Sequence, residues 1–156
     1  MLCSFDAPCP QRPLLLPTPL TLADYNLRFT GGMVIMDAVH APTGCGTWPA
    51  WWMNGDNWPY GGEIDIMEGV NAFSQNQISI HTGSGCRINQ NTNDVQTGKL
   101  TTGWFDSYNC ASYETGNEGC GVRDLSNQNT FGEGFNKAGG GVYARKWPTG
   151  VESGSD

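Results

Sequence analysis

The chain has 156 residues, 15 acidic against 8 basic side chains and a net charge of −7. This length sets one domain, large enough to bury a core. The acidic balance excludes nucleic acid as a partner, because phosphate binding needs a basic face, and no apolar stretch is long enough to cross a membrane as a helix.

With 22 glycines and only 15% charged residues, the composition is not that of a helical bundle. Short apolar runs punctuated by Gly, Asn, Pro and Ser predict an all-β fold. Residues 1–30 form an atypical proline-rich segment, with prolines at 8, 10, 13, 17 and 19 removing backbone donors and fixing φ. Leu14–Leu16 reads as a short buried strand or a leader remnant. Met1–Leu20 lacks the basic start and unbroken apolar run of a signal peptide. Asn26–Thr30 is expected to be a short strand, Gly31-Gly32 a turn or bulge, and Met33–Val39 a strand. His40 falls in the loop to Gly46 with no carboxylate partner near it in sequence, and is read as an exposed loop histidine.

Thr47–Asn54 reads as a strand at a sheet edge or with a bulge, because Pro49 cannot donate to a ladder. Alternation puts Trp48, Ala50 and Trp52 on one face, Trp51 and Met53 on the other. Trp51 is assigned to the core. Gly55–Gly62 is a loop carrying Trp58, Glu63–Val70 a strand, Asn71–Asn76 a turn, and Gln77–Thr82 a strand. In that last strand Ile78 and Ile80 are expected on the buried face, with Gln77, Ser79 and His81 on a functional face. Gly83–Asn136 is polar and weakly patterned, with short strands expected around Leu100–Phe105. Gly139–Ala144 is a final short strand, and residues 148–156 are a polar tail. No repeat and no amphipathic helix is evident.

The chemistry concentrates in Trp48–Val70. This stretch holds four of the six tryptophans and, within six residues, the three acids Glu63, Asp65 and Glu68. Glu63 and Asp65 are two apart and share a strand face. Glu68 is at an odd offset from Glu63, so a regular strand would turn it away. One extra residue near Ile66-Met67, a β-bulge, restores the parity and brings all three acids to one face. Three acids so placed cannot all stay ionised and unpaired, which yields an acid and a base at one pH. Two carboxylates beside aromatic surface are what cleavage of a sugar chain needs. Trp52 and Trp58 are the candidates for sugar stacking, and His81 for contact with the acids or the sugar. A calcium loop would favour an oxygen-rich turn over a strand, and no metal or other cofactor is expected.

Six cysteines include no C-x-x-C pair, which argues against a zinc ribbon. Cys45, Cys86, Cys110 and Cys120 lie in Gly/Asn/Ser-rich loop sequence and read as two disulfides, hence an extracellular protein. Four cysteines allow about three pairings, which sequence leaves open.

The motif E-I-D-I-M-E at Glu63–Glu68 resembles the E-x-D-x-x-E signature of glycoside hydrolase family 16. G-C-G-T-W-P-A-W-W-M at Gly44–Met53, W-P-Y-G-G-E at Trp58–Glu63 and I-H-T-G-S-G-C at Ile80–Cys86 resemble its fungal endo-1,3(4)-β-glucanases, the laminarinase-like branch. G-C-G-V at Gly119–Val122, F-G-E-G-F-N at Phe131–Asn136 and G-G-G-V-Y-A at Gly139–Ala144 do so as well. The likeness runs over residues 31–147 and implies a β-jelly-roll sandwich of the concanavalin A-like kind. It implies retaining hydrolysis of β-glucan, with Glu63 as nucleophile, Glu68 as acid/base, Asp65 tuning Glu63, and Trp52, Trp58 and His81 lining the cleft. Family members are usually longer, so the jelly roll is expected to be partial and incomplete, the chain truncated at both ends. A monomer is expected. Two alternatives share the same cleft: a catalytically dead glucan-binding remnant, and a transglycosylase that passes the covalent intermediate to a sugar acceptor.

Overall fold

The computed structural model describes residues 27–89, 96–101, 108–127 and 129–147. Within them lie β1 (Gly32–Ala38), β2 (Ala50–Asn54), β3 (Glu63–Glu68), β4 (Gln77–His81), β5 (Lys99–Leu100), β6 (Cys120–Arg123), a short helix α1 (Gly132–Lys137) and β7 (Gly141–Trp147). The strands form two antiparallel sheets. One is the pair β1–β7; the other has five strands in the order β2-β3-β4-β6-β5. Most of the proline-rich segment, the region 102–107 and the tail expected at 148–156 lie outside the described residues.

Several expected boundaries move, each for a local reason. Leu27–Thr30 is not a strand; Leu27 and Phe29 are exposed, and no ladder partner lies beside them among the described residues. The expected strand at Thr47 begins only at Ala50, after Pro49, which has no N–H to give. Among the described residues it lies at the edge of its sheet, one of the two placements expected. The last strand starts at Gly141, because Gly139 and Gly140 turn the chain out of α1 and donate their N–H groups back to Asn136 and Phe135 carbonyls, at 3.1 and 3.0 Å. The helix itself was not expected. At six residues it is too short to print a 3.6-residue period on the sequence.

The core is small and gathers under the C-terminal end of β3. Phe131 is fully buried, with Ile66, Met67, Val70 and Phe135 around it. Burying one such ring contributes about 2–3 kcal/mol. Phe135 packs its ring 5.4 Å from that of Tyr143 on β7, so α1 ties the small sheet down. The Asn136 carboxamide accepts from the Ala41 N–H and donates to the Ala41 carbonyl, both at 2.8 Å.

On β4 the expected burial is reversed. Ser79 and His81 are buried, while Ile78 is 45% exposed. The loop 108–119 covers the polar side. Ile78 and Ile80 instead border an open groove of about 870 Å³ between the sheets, shared with Ile88, Val122, Val142 and Tyr143.

The covering loop is closed by a Cys110–Cys120 disulfide, ten residues apart in sequence and 4.5 Å between Cα atoms. Cys45 is also disulfide-bonded. Cys86 is not; its thiol is free and exposed. Two bridges among the four candidate cysteines are therefore excluded. The Cys86 carbonyl does accept the Cys110 N–H at 3.1 Å, so the backbones run together, but the Cys110 sulfur is committed to Cys120.

Candidate active site

β3 carries the bulge that its acid spacing requires. Against β2, Trp52 faces Asp65 but Trp51 faces Met67, leaving Ile66 as the additional residue. Against β4, Asp65 faces Ser79 and Glu68 faces Gln77. Three steps on β3 thus match two on β4. Directly opposed residues in an antiparallel pair share a face. One face therefore holds Glu63, Asp65 and Glu68 together with Asn54, Trp52, His81, Ser79 and Gln77. The other holds Ile64, Met53, Trp51 and Ile80, and both bulge residues, Ile66 and Met67, are buried.

Each glutamate has its own indole. Trp58 donates its Nε1–H to Glu63 Oε2. Trp48 donates to Glu68 Oε1 at 2.9 Å. The other Glu68 oxygen ends a relay across the sheet. Arg123 donates to Gln77 Oε1 at 2.7 Å, Gln77 donates to Ser79 Oγ at 3.0 Å, and Ser79 donates to Glu68 Oε2 at 2.7 Å. The cation that starts this relay stacks 4.2 Å over the Phe73 ring, and burial pulls Arg123 below its ordinary pKa.

Between the glutamates Asp65 is buried. Its Oδ2 lies 3.4 Å from His81 Nε2, an ion-pair approach too poorly aligned for a hydrogen bond. On its far side the His81 ring meets Ser112 Oγ at 3.3 Å, so the disulfide-closed loop orients the imidazole. Gly119 packs against the Ile80 carbonyl oxygen, which a Cβ there would meet at 2.4 Å, and against the same ring. It sits at φ +61°, and a Cβ there would meet His81 Nδ1 at 2.9 Å.

The charges interact as this crowding dictates. Burial pushes Glu63 up and the Asp65 charge adds to it, while the Trp58 hydrogen bond and His81 pull the other way; the net shift is upward. Burial disfavours a charged His81, but Asp65 beside it, with the charges of Glu63 and Glu68, outweighs that and raises it. The group thus holds a carboxylate with raised affinity for a proton next to a histidine that prefers to keep one. Among the described residues no set of three or more His, Cys, Asp or Glu side chains is arranged to hold a metal ion.

All six residues singled out from the sequence lie at this cluster. Trp52 and Trp58 are 39% and 36% exposed. Trp51 is only half-buried on the opposite face, and His40 is exposed. Sequence reasoning gave no role to Trp48, Asn76, Ser112 or Arg123. Trp48 lay in the aromatic-rich stretch and could have been found there. Asn76 has no one-dimensional signal: its Oδ1 accepts the Glu68 N–H at 3.0 Å and its Nδ2 donates to the Ile66 carbonyl at 2.9 Å. Beyond Trp58 the aromatic surface continues to Tyr113, 6.0 Å away edge to face, and from there to Tyr60, 6.5 Å from Tyr113.

Residues 24–151 match the family model of an XgeA-like, catalytic GH16 domain. A probable glycosidase of Schizosaccharomyces pombe is 50% identical over 121 residues, 76% of this chain and 27% of that protein. A probable endo-1,3(4)-β-glucanase of Aspergillus clavatus is 43% identical over 120 residues, 76% of this chain and 17% of that protein. The chain thus spans about a quarter or less of the curated relatives it matches. Laminarinase 16A from Phanerochaete chrysosporium, solved with β-glucans in donor and acceptor sites, superposes with a TM-score of 0.66 at 40% identity, over 77% of this chain and 38% of its own. An elongating GH16 β-1,3-glucosyltransferase gives 0.65 at 41% identity, over 79% and 38%. The architecture is accordingly all-β, part of the jelly-roll sandwich of these enzymes, and the chain belongs to glycoside hydrolase family 16.

Proposed function

We propose that this chain cleaves β-1,3 or mixed β-1,3/1,4-glucan internally, with retention of anomeric configuration. The observation that carries this is the bulge in β3, which sets Glu63, Asp65 and Glu68 on one face, each glutamate accepting an indole N–H. In the first step the Glu63 carboxylate attacks the anomeric carbon, the glycosidic C–O bond breaks, and Glu68 gives its proton to the departing oxygen. In the second, Glu68 takes a proton from water, the water oxygen attacks the same carbon, and Glu63 leaves as carboxylate. A pair working this way should sit about 5–5.5 Å apart. Asp65 keeps Glu63 oriented, and His81 offsets the two negative charges. Trp52 and Trp58 receive sugar faces, and Tyr113 and Tyr60 extend that surface. The disulfides suit secretion, and a monomer binding one glucan chain needs no partner subunit.

Transfer to a sugar acceptor instead of water is the second reading, supported by the likeness to the β-1,3-glucosyltransferase. Reducing-sugar release from laminarin by the purified chain, against Glu63→Gln, tests the proposal. Release by the unaltered chain alone is expected. Equal signals from both proteins would sink it. Product sizing with an added oligosaccharide acceptor separates hydrolysis from transfer.

A further inference from the structure

We propose that Asn76 is a positioning residue for Glu68, its carboxamide standing in for the ladder rung that the bulge removes. The proposal rests on the acid/base role assigned to Glu68 above. A bulge leaves backbone groups out of register with the neighbouring strand. Here those are the Ile66 carbonyl and the Glu68 N–H, and one planar amide serves both, donating at 2.9 Å and accepting at 3.0 Å. The two bonds bracket Met67. They hold the parity change at the Ile66–Met67 pair. A slip of one position would turn Glu68 to the opposite face, away from Glu63.

Asparagine suits the place because it offers a donor and an acceptor on a short stem. Aspartate lacks the donor and alanine lacks both. Asn76 is itself held, its N–H donating to Thr130 Oγ1 at 2.9 Å, while the Thr130 carbonyl accepts the Tyr143 hydroxyl at 2.6 Å. The position of Glu68 is thereby referred to β7 in the other sheet.

The test uses the full chain, with Asn76→Ala, Asn76→Asp and Glu68→Ala. The substrates are laminarin and a dinitrophenyl β-laminaribioside, whose leaving group needs no proton. On laminarin, Asn76→Ala should lose about 10²-fold in kcat with KM little changed. On the activated substrate with added azide, Asn76→Ala and Glu68→Ala should both recover. Azide then displaces the Glu63 ester, which leaves as carboxylate, and the product is the β-glycosyl azide. A defect that is equal on both substrates and unmoved by azide would overturn the proposal. A readout without catalysis runs beside it. In the native chain the Trp48 indole N–H signal should follow the titration of Glu68, and the Trp58 signal that of Glu63. Asn76→Ala should abolish the first response and keep the second. A retained Trp48 response overturns the clamp whatever the activity. A lost response in a chain that never cleaves glucan supports the clamp and removes the catalytic reading instead. Asn76→Asp, which keeps the acceptor for Glu68, should show an intermediate loss, and decides the matter if Asn76→Ala does not fold.

Discussion

The Trp58 indole N–H is donated to Glu63 Oε2, and this bond favours the ionised form of a carboxylate that burial and Asp65 push the other way. A nucleophile works ionised, so activity falls as pH drops through its pKa. Removing the donor raises that pKa further. Trp58→Phe should therefore move the acid limb of kcat/KM to higher pH and lower its plateau about tenfold. Initial rates on laminarin across the acid range measure both. An acid limb that stays in place would show that the indole does not hold Glu63.

Asp65→Asn should move two titrations downward. The Asp65 charge raises Glu63, so its loss lowers the acid limb. The same charge raises His81, so the imidazole signals in a proton NMR titration should shift to lower pH as well. The plateau should still fall, because the neutral amide no longer balances a charged His81. An unchanged His81 titration would mean that the 3.4 Å approach carries little electrostatic weight.

The site was legible to the extent that it is written along one strand. Glu63, Asp65 and Glu68 lie within six contiguous residues of sequence, and the odd offset of Glu68 alone requires the bulge that β3 contains. Likewise His81 and Ser79 followed from alternation on β4. What stayed hidden depends on distant segments meeting. Asn76 acts on the bulge from the end of a turn, Ser112 reaches His81 from 31 residues away, and Arg123 enters the relay across 46. Period-2 patterning assigns sides to a strand but does not say which side a loop will cover. That is why Ile78 was assigned to the core and is found beside an open groove.

Gly69 should not tolerate a side chain. A Cβ there would lie 2.5 Å from Phe131 Cε1 and 2.8 Å from Cζ, and Phe131 is fully buried. The ring has no room to retreat, so Gly69→Ala should cost about 1–3 kcal/mol, read as a lower midpoint in chemical denaturation. Because Gly69 follows Glu68 directly, kcat should drop in the same variant. A midpoint equal to that of the native chain would mean that the core under β3 is loosely packed.

Replacing Cys110 and Cys120 by serine should destabilise the chain by about 2–3 kcal/mol, the order expected for freeing a loop of this length. The functional effect should be more specific. Ser112 rides on that loop and touches His81, so the double variant should broaden the His81 NMR signals while leaving the Trp48 indole signal sharp. Equal broadening of both would indicate general loosening of the five-stranded sheet.

The open groove between the sheets sets the shape of the stability curve. Ile78 and Val142 stand 45% and 63% exposed beside it, so water already wets apolar surface that a closed sandwich would release only on melting. Both the heat-capacity increment of unfolding and the denaturant m-value scale with newly exposed surface. Each should fall below the value expected for a closed sandwich of the same length, which urea and calorimetric melts measure. The free-energy curve should then be shallow in temperature and in urea, and the strands that carry the glutamates should melt gradually rather than abruptly.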